Sequence, residues 1–561
     1  MQLKNNKFSP KKKDKIKIIR SIVQGLILLV ILVVTVKTLF TFTVYKPFSP
    51  SAVSEDKNNG FIAVSYYGVD RDGSKTLIST GALEEQIKAL KDNGYVTINQ
   101  QDILDYYNKG KALPEKSLFL LFEDGRKDTA IFSQKILEQY NYKANIMTYA
   151  DKLEKNDSKF LAPKDLLKLK SSSYWELGTN GYRLEYLNVY DKDLNFLGNL
   201  SSAEFSKGAD KIQGNYNHYL MDYIRDKNKI PMENYDEMKA RISKDYGNML
   251  KIYNKEIGYV PGVSALMHSN TGKFGTNDNV SEVNSKLIKE LFSVNFNREG
   301  YSLNLPKDSI YDLTRIKSQT SWSTNHLLMR IWDDTKKNIQ FVEGDKEKAK
   351  NFQKIKGQAE FTDDKIIVTS LPKGNGLIKL LNSESYRDIN LSVLLNGNVI
   401  GSQAVYLRSN DTRESSICVK LINNTVNVIE NSNGSQKIIY SSNLSPNNKE
   451  FNINEAGNKK VNISLWGNKM TLSIDGKKLF EALTISNVNE GSIFLEAGPS
   501  KNGNSEKNTT DDVYDGVFKN LKITNLNNTV LFDSSLKGTE AIIYELKNSY
   551  NKVVNWFIKN L

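Results

Sequence analysis

Glu123 and Asp124 stand side by side directly after an unbroken apolar run, residues 118–122, and are followed by Gly125 and Arg126. A short apolar run cut off by turn residues reads as a strand buried on both faces, the kind found inside a parallel sheet. Carboxylates at the end of such a strand sit at the mouth of the sheet, where α/β proteins keep their ligands. Two adjacent acids there can divide the labour: one holds a metal ion and the other takes a proton from water. Arg126 suits either an anionic centre or an ion pair with a nearby acid. The bland alternative is a strand followed by a turn, and the surrounding chain decides between the two.

The surrounding elements alternate in type. Residues 61–66 form a β-rich run. Residues 81–91 carry Leu83, Ile87 and Leu90 at helical spacing, with Ser79-Thr80 as a start signal and Gly94 as a stop. Strands are expected at 95–98, 117–122, 144–149 and 175–177, and helices at 102–108, 128–140 and 163–170. Repeated β-then-α units mean a parallel sheet wrapped by helices. Residues 185–260 exceed an ordinary connection and contain a long helix over 233–257, read as an insertion. Residues 311–332 return to barrel-like elements.

Leu121-Phe122-Glu123-Asp124-Gly125 resembles the first motif of the polysaccharide deacetylases of the NodB-homology type (carbohydrate esterase family 4-like), usually Thr-Phe-Asp-Asp-Gly. Three further segments fall where that family has counterparts. They are Phe61-Ile62-Ala63-Val64-Ser65-Tyr66-Tyr67-Gly68, Lys91-Asp92-Asn93-Gly94-Tyr95, and Trp175-Glu176-Leu177-Gly178-Thr179-Asn180-Gly181-Tyr182. The resemblance covers roughly residues 60–330 and implies a distorted (β/α) barrel that removes acetyl groups from an acetylated polysaccharide. It makes Glu123 the catalytic base and Asp124 a ligand of a zinc-like divalent ion; Arg126, beside them, is the third candidate catalytic residue, to steady an anionic centre or pair with an acid.

The chain also departs from the family. Where two metal-binding histidines belong, it has Asn180 and Leu184, and leucine cannot ligate. The arginine-proline-tyrosine and leucine-histidine motifs lack clear equivalents. The only histidines are His218, His268 and His326. His268 is the candidate second metal ligand beside Asp124. Tyr67, Asn180, Tyr182 and His218 are candidate substrate contacts. Each histidine is equally explained as a surface or hydrogen-bonded structural residue. Rebuilt metal chemistry, metal-free hydrolysis and a carbohydrate-binding relic all stay open.

The net charge of +13 is concentrated at one end. Residues 1–20 hold eight basic residues and one acid, leaving +6 for the other 541 residues. That balance argues against nucleic acid. Residues 21–45 are long and apolar enough to cross a bilayer as an anchor, flawed only by Lys37. The basic tail before them predicts an inside N-terminus and an extracellular bulk. A signal peptide competes, but no Ala-x-Ala-like site follows. A lone Cys418 rules out an intrachain disulfide.

The domain reading is a basic tail (1–20), an anchor (21–45) and a tether (46–60), then the barrel (61–335, insertion 185–260). A charged linker (336–355), a β-domain (356–535) and an amphipathic C-terminal helix (536–561) follow. The fold class is α/β plus all-β. In the β-domain the periodicity switches to two, and Asn396-Gly397, Asn433-Gly434 and Asp475-Gly476 signal hairpins. Residues 461–477 and 491–498 resemble a concanavalin/laminin-G-like jelly-roll β-sandwich, a class that often binds glycans. The final helix is expected first to pack on that sandwich, with the membrane surface or a partner helix as the alternatives. The leading expectation is a membrane-anchored, extracytoplasmic polysaccharide deacetylase of bacterial type. The other is an inactive glycan-binding or assembly factor for a polysaccharide synthase or glycosyltransferase.

Overall fold

The computed structural model describes residues 15, 17–26, 28–29 and 43–560, apart from 57–58, 156, 192, 209–210, 213–215, 269–273, 399–400, 423, 445–455, 500–504 and 507–508. Seven parallel strands close into a barrel. They are β1 (Phe61–Tyr66), β2 (Ser117–Phe122), β3 (Ala144–Thr148), β4 (Trp175–Thr179), β5 (Val263–Ala265), β6 (Val294–Glu299) and β7 (Leu313–Ser318). Each pairs with the next, and β7 closes on β1 through Val64 opposite Ile316 and Tyr66 opposite Ser318.

Strand alternation gives the barrel two apolar faces. Inward, Ala63, Phe119, Leu121, Met147, Val263, Phe296 and Leu313 fill the interior, with Phe119 stacked on Phe296 at 5.3 Å. Outward, Ile62, Val64, Leu118, Leu120 and Ile146 meet the helices α1 (Thr80–Asp92), α2 (Lys127–Tyr140), α3 (Tyr235–Ile257), α4 (Asp278–Leu291) and α5 (Thr324–Thr335). The long helix of the insertion is α3. The Asn234 side chain caps its start, Gly258 at φ 83 ends it, and Met238, Ile242, Met249 and Tyr253 are buried against the barrel. The rest of the insertion is a small antiparallel sheet, Glu185–Tyr190, Phe196–Ser201 and Asn217–His218, with its own core of Tyr186, Val189 and Ile212.

The β-domain is two antiparallel sheets of seven and eight strands enclosing one core. Asn433-Gly434 and Asp475-Gly476 make tight hairpins with all four residues at positive φ, as such turns demand. Asn396-Gly397 is not a turn. It lies inside the strand Ile389–Asn398, paired with Asn458 and Gly457. Sheet pairing along the whole strand overrides the local turn preference.

Three expectations at the domain edges change. Residues 46–60 are no free tether: Tyr45 is buried, its hydroxyl donates to the Thr97 carbonyl at 3.0 Å, and Asn59 donates to the Pro114 carbonyl at 2.8 Å. The stretch 336–355 is no plain linker, because Phe352–Lys356 already forms the edge strand of the seven-stranded sheet. The C-terminal helix Gly538–Asn560 leaves Ile542, Leu546, Tyr550 and Val553 more than half exposed, so its apolar stripe is not packed on the sandwich. Among the described residues no helix is long and apolar enough to cross a membrane. The basic tail, except residues 15 and 17–20, and residues 27 and 30–42 of the expected anchor lie outside them.

Barrel and sandwich meet at His326, at the start of α5. Its Nε2 lies 3.0 Å from Asp511 and its Nδ1 3.1 Å from Asp515, with Trp322 stacked on the ring and Arg330 3.6 Å from Asp511. Burial alone would lower the His326 pKa, but the two aspartates raise it to about 9. The stabilisation this contributes is complete below the unfolded value of 6.5 and is lost as pH rises through about 9. Thermal melts between pH 7 and 10 should therefore fall more steeply for the wild-type protein than for His326→Gln. Parallel curves would show that the pair does not hold the domains together.

Candidate active site

The C-terminal ends of the barrel strands carry one layer of inward-facing polar side chains. Continuing the alternation past Ala63, Leu121 and Met147 places Tyr67, Glu123 and Tyr149 inside, level with Asn180. Strand β7 contributes Arg315 and Lys317 on the same inward face as Leu313, and β6 ends on Glu299.

Glu123 is fully buried. Arg315, equally buried, grips it with two bonds, Nε to Oε1 at 2.6 Å and Nη2 to Oε2 at 3.2 Å. Arg315 also donates to Glu299 Oε1 at 2.9 Å, and Lys317 Nζ donates to Glu299 Oε2 at 3.0 Å. Burial alone would raise the Glu299 pKa; Lys317 and then Arg315 hold it below the usual carboxylate range instead. Glu123, the expected catalytic base, is thus held in place at the barrel mouth by Arg315.

Asp124 is in a different state. It sits at φ 68, with Gly125 following at φ 62, so the chain leaves β2 through two left-handed residues. A Cβ on Gly125 would come within 2.6 Å of the Thr148 side chain, which explains the glycine. The Asp124 amide donates to Asn180 Oδ1 at 3.2 Å, and Asn180 Nδ2 donates to the Ala265 carbonyl at 2.7 Å. Asn180 thus positions the acid loop across the barrel mouth. Burial pushes the Asp124 carboxyl up to about 7, against the pull of Arg126 and of a hydrogen bond from Tyr67. Left-handed backbone at a non-glycine residue and a carboxyl titrating near neutrality are both features of reactive sites.

The other candidates separate. Arg126 turns away to pair with Asp128 at 2.7 Å, though its charge still acts on Asp124. Tyr182 lies at the rim, its ring 5.2 Å from the Arg183 guanidinium. His218 is buried, and its Nδ1 accepts from the Leu220 amide at 3.2 Å. Burial, then His268, lowers its pKa to about 3. The His218 Nε2 has no hydrogen-bond partner among the described residues. Leu184 belongs to the core of the small sheet.

His268, at φ 52, is tied to the polar layer through its backbone. Its amide donates to Glu299 Oε1 at 3.1 Å, and burial, then Lys317, lowers its pKa to about 4. Among the described residues no three His, Cys, Asp or Glu side chains gather as metal ligands. Arg315 and Lys317 already bring two positive charges to this layer and compensate Glu123 and Glu299. These described donors do not fit a divalent ion, and no step below passes through one.

Four residues of the layer escape a reading of the sequence alone: Arg315, Lys317, Glu299 and Tyr149. The readable signal is Leu313-Thr314-Arg315-Ile316-Lys317, two basic residues at period two within a strand of a closed barrel. Tyr149 is fully buried, and its hydroxyl has no hydrogen-bond partner among the described residues.

No family model matches the chain. Over 92 residues it is 34% identical to the poly-beta-1,6-N-acetyl-D-glucosamine N-deacetylase of Escherichia coli (strain K12). That segment is 16% of this chain and spans only 13% of the relative's length. Among solved structures, a de-N-acetylase from Aggregatibacter actinomycetemcomitans superposes with a TM-score of 0.36 at 18% identity, over 47% of this chain and 97% of that one. IcaB from Ammonifex degensii gives 0.33 at 15% identity, over 46% and 92%. The carbohydrate-binding module CBM66 from Bacillus subtilis gives 0.23 at 17%, over 31% and 94%. Over its matched segment, the chain is similar to a polysaccharide deacetylase.

Proposed function

We propose that the barrel is a carbohydrate deacetylase that hydrolyses acetyl groups on a cell-envelope or exported polysaccharide, with Asp124 as the proton-transfer group. The observation that carries this reading is the state of Asp124: buried at the barrel mouth, hydrogen-bonded by Tyr67 and titrating at about 7. A carboxyl with that pKa takes a proton from attacking water and returns it to the leaving group near neutral pH. The local similarity to an enzyme named for poly-β-1,6-N-acetylglucosamine makes that polymer the first substrate to test. Tyr67 and Tyr182 supply aromatic surface for the sugar, and Asn180 holds the acid loop.

On this reading the protein is anchored by residues 21–45, with its bulk outside the cell. Support comes from the point of attachment: Tyr45 docks on Thr97 and Ser173, at the strand-entry end of the barrel. The mouth then faces away from the membrane, towards polymer. The sandwich is read as a glycan-binding-like domain that keeps the polymer near the mouth.

A second reading, glycan recognition without turnover beside a polysaccharide synthase, is favoured by the Arg315 clamp on Glu123. Acetate release from acetylated glucosamine oligomers separates the two. Asp124→Asn should reduce kcat at least ~100-fold, the usual scale for losing a general base. Glycan binding that persists in a wild-type protein releasing no acetate would establish the second reading. The wild-type rate should rise with pH through about 7 and then level off, because the base works only when ionised. A profile flat from pH 5 to 8 would remove Asp124 from that role.

A further inference from the structure

We propose that Lys317 is the electrophilic group of this site, its ammonium facing the acyl oxygen as negative charge develops there. The inference rests on the deacetylase reading above and deepens it.

The placement follows from the barrel. Lys317 lies opposite Ser65 on β1, and Tyr67, the next inward position on that side, is the residue bonded to Asp124. Lys317 is two residues beyond Arg315 on the same strand face and is therefore nearer the mouth. Whereas Arg315 is fully enclosed, Lys317 keeps 8% of its surface exposed. Glu299 fixes its position through the 3.0 Å bond, and Glu299 is itself held by Arg315 and by the His268 amide at 3.1 Å. Lys317 acts electrostatically on both Tyr67 and His268. Tyr67 is thus bonded to the Asp124 carboxyl and feels the Lys317 charge from the neighbouring strand. An acyl group beside Tyr67 meets a base and a fixed cation.

The balanced step uses only these groups. Water attacks the acyl carbon and its proton passes to Asp124. The carbonyl electron pair moves onto oxygen, and the oxyanion faces Lys317. The carbonyl then reforms as the bond to the sugar nitrogen or oxygen breaks, and the proton on Asp124 passes to that leaving atom. Acetate and the deacetylated sugar are the products. A preorganised cation aimed at a developing oxyanion in a water-poor site is among the strongest contributions to such reactions.

The test measures acetate release by the full-length protein in detergent, with and without chelator, for wild type, Lys317→Met and Lys317→Arg. Wild-type turnover should be unchanged within about twofold by chelator. Lys317→Met should lose ~100-fold in kcat with KM little changed, and Lys317→Arg should recover a substantial part. A residue that merely neutralises Glu299 would lower the melting temperature and leave kcat of the folded fraction alone. If Lys317→Met does not fold, Lys317→Gln takes its place. Turnover within twofold of wild type in the charge-removed variant overturns the proposal and leaves the deacetylase reading standing. Turnover abolished by chelator and restored by a divalent ion also overturns it. No acetate from the wild type overturns both.

Discussion

The site depends on one interaction, the two-bond clamp of Arg315 on Glu123 inside the barrel. Both side chains are removed from solvent. An isolated charge in such a place is strongly unfavourable, and breaking a buried pair by deleting one partner costs about 3–5 kcal/mol. Each ion therefore needs the other. Because they come from β2 and β7, the pair ties across β1 and supports the seam where the barrel closes. The same guanidinium reaches Glu299 on β6, so one side chain positions carboxylates from two strands.

That clamp fixes the first acid of the motif, Glu123, through one bond to each carboxylate oxygen. Asp124 lies just past the strand end and is not part of the clamp. Its left-handed backbone, the close fit of Gly125 on Thr148 and the Asn180 bridge to Ala265 direct the loop across the opening. Burial then leaves Asp124 titrating near neutrality. Two adjacent carboxylates thus have different surroundings: Glu123 is paired with Arg315, and Asp124 is buried with Arg126 and Tyr67 acting on it.

The wider architecture separates this mouth from the point where the chain enters the barrel. Tyr45 fastens the chain at the strand-entry end, while the acid pair opens at the other. The sandwich is held to α5 by His326 between Asp511 and Asp515, a charged contact that tertiary structure alone assembles from positions about 190 residues apart. The domains are thus joined by a specific polar bond network as well as by the chain.

The sequence by itself determined the layers: apolar runs such as 118–122, alternating with helices whose apolar residues recur at helical spacing, make a parallel sheet wrapped by helices, and the barrel was what the family resemblance implied. It also placed Glu123 and Asp124 at a strand end, and it showed that Asn180 and Leu184 could not serve as two histidines. The tertiary structure decided the roles. Nothing local ties Arg315 to Glu123, 192 residues away, or gives Glu299 its cations. The strong hairpin signal at Asn396-Gly397 was likewise overruled by pairing with a distant strand. Ionisation and metal fit depend on which charges share a buried space, and that is set by closure of the barrel and by no segment of the chain alone.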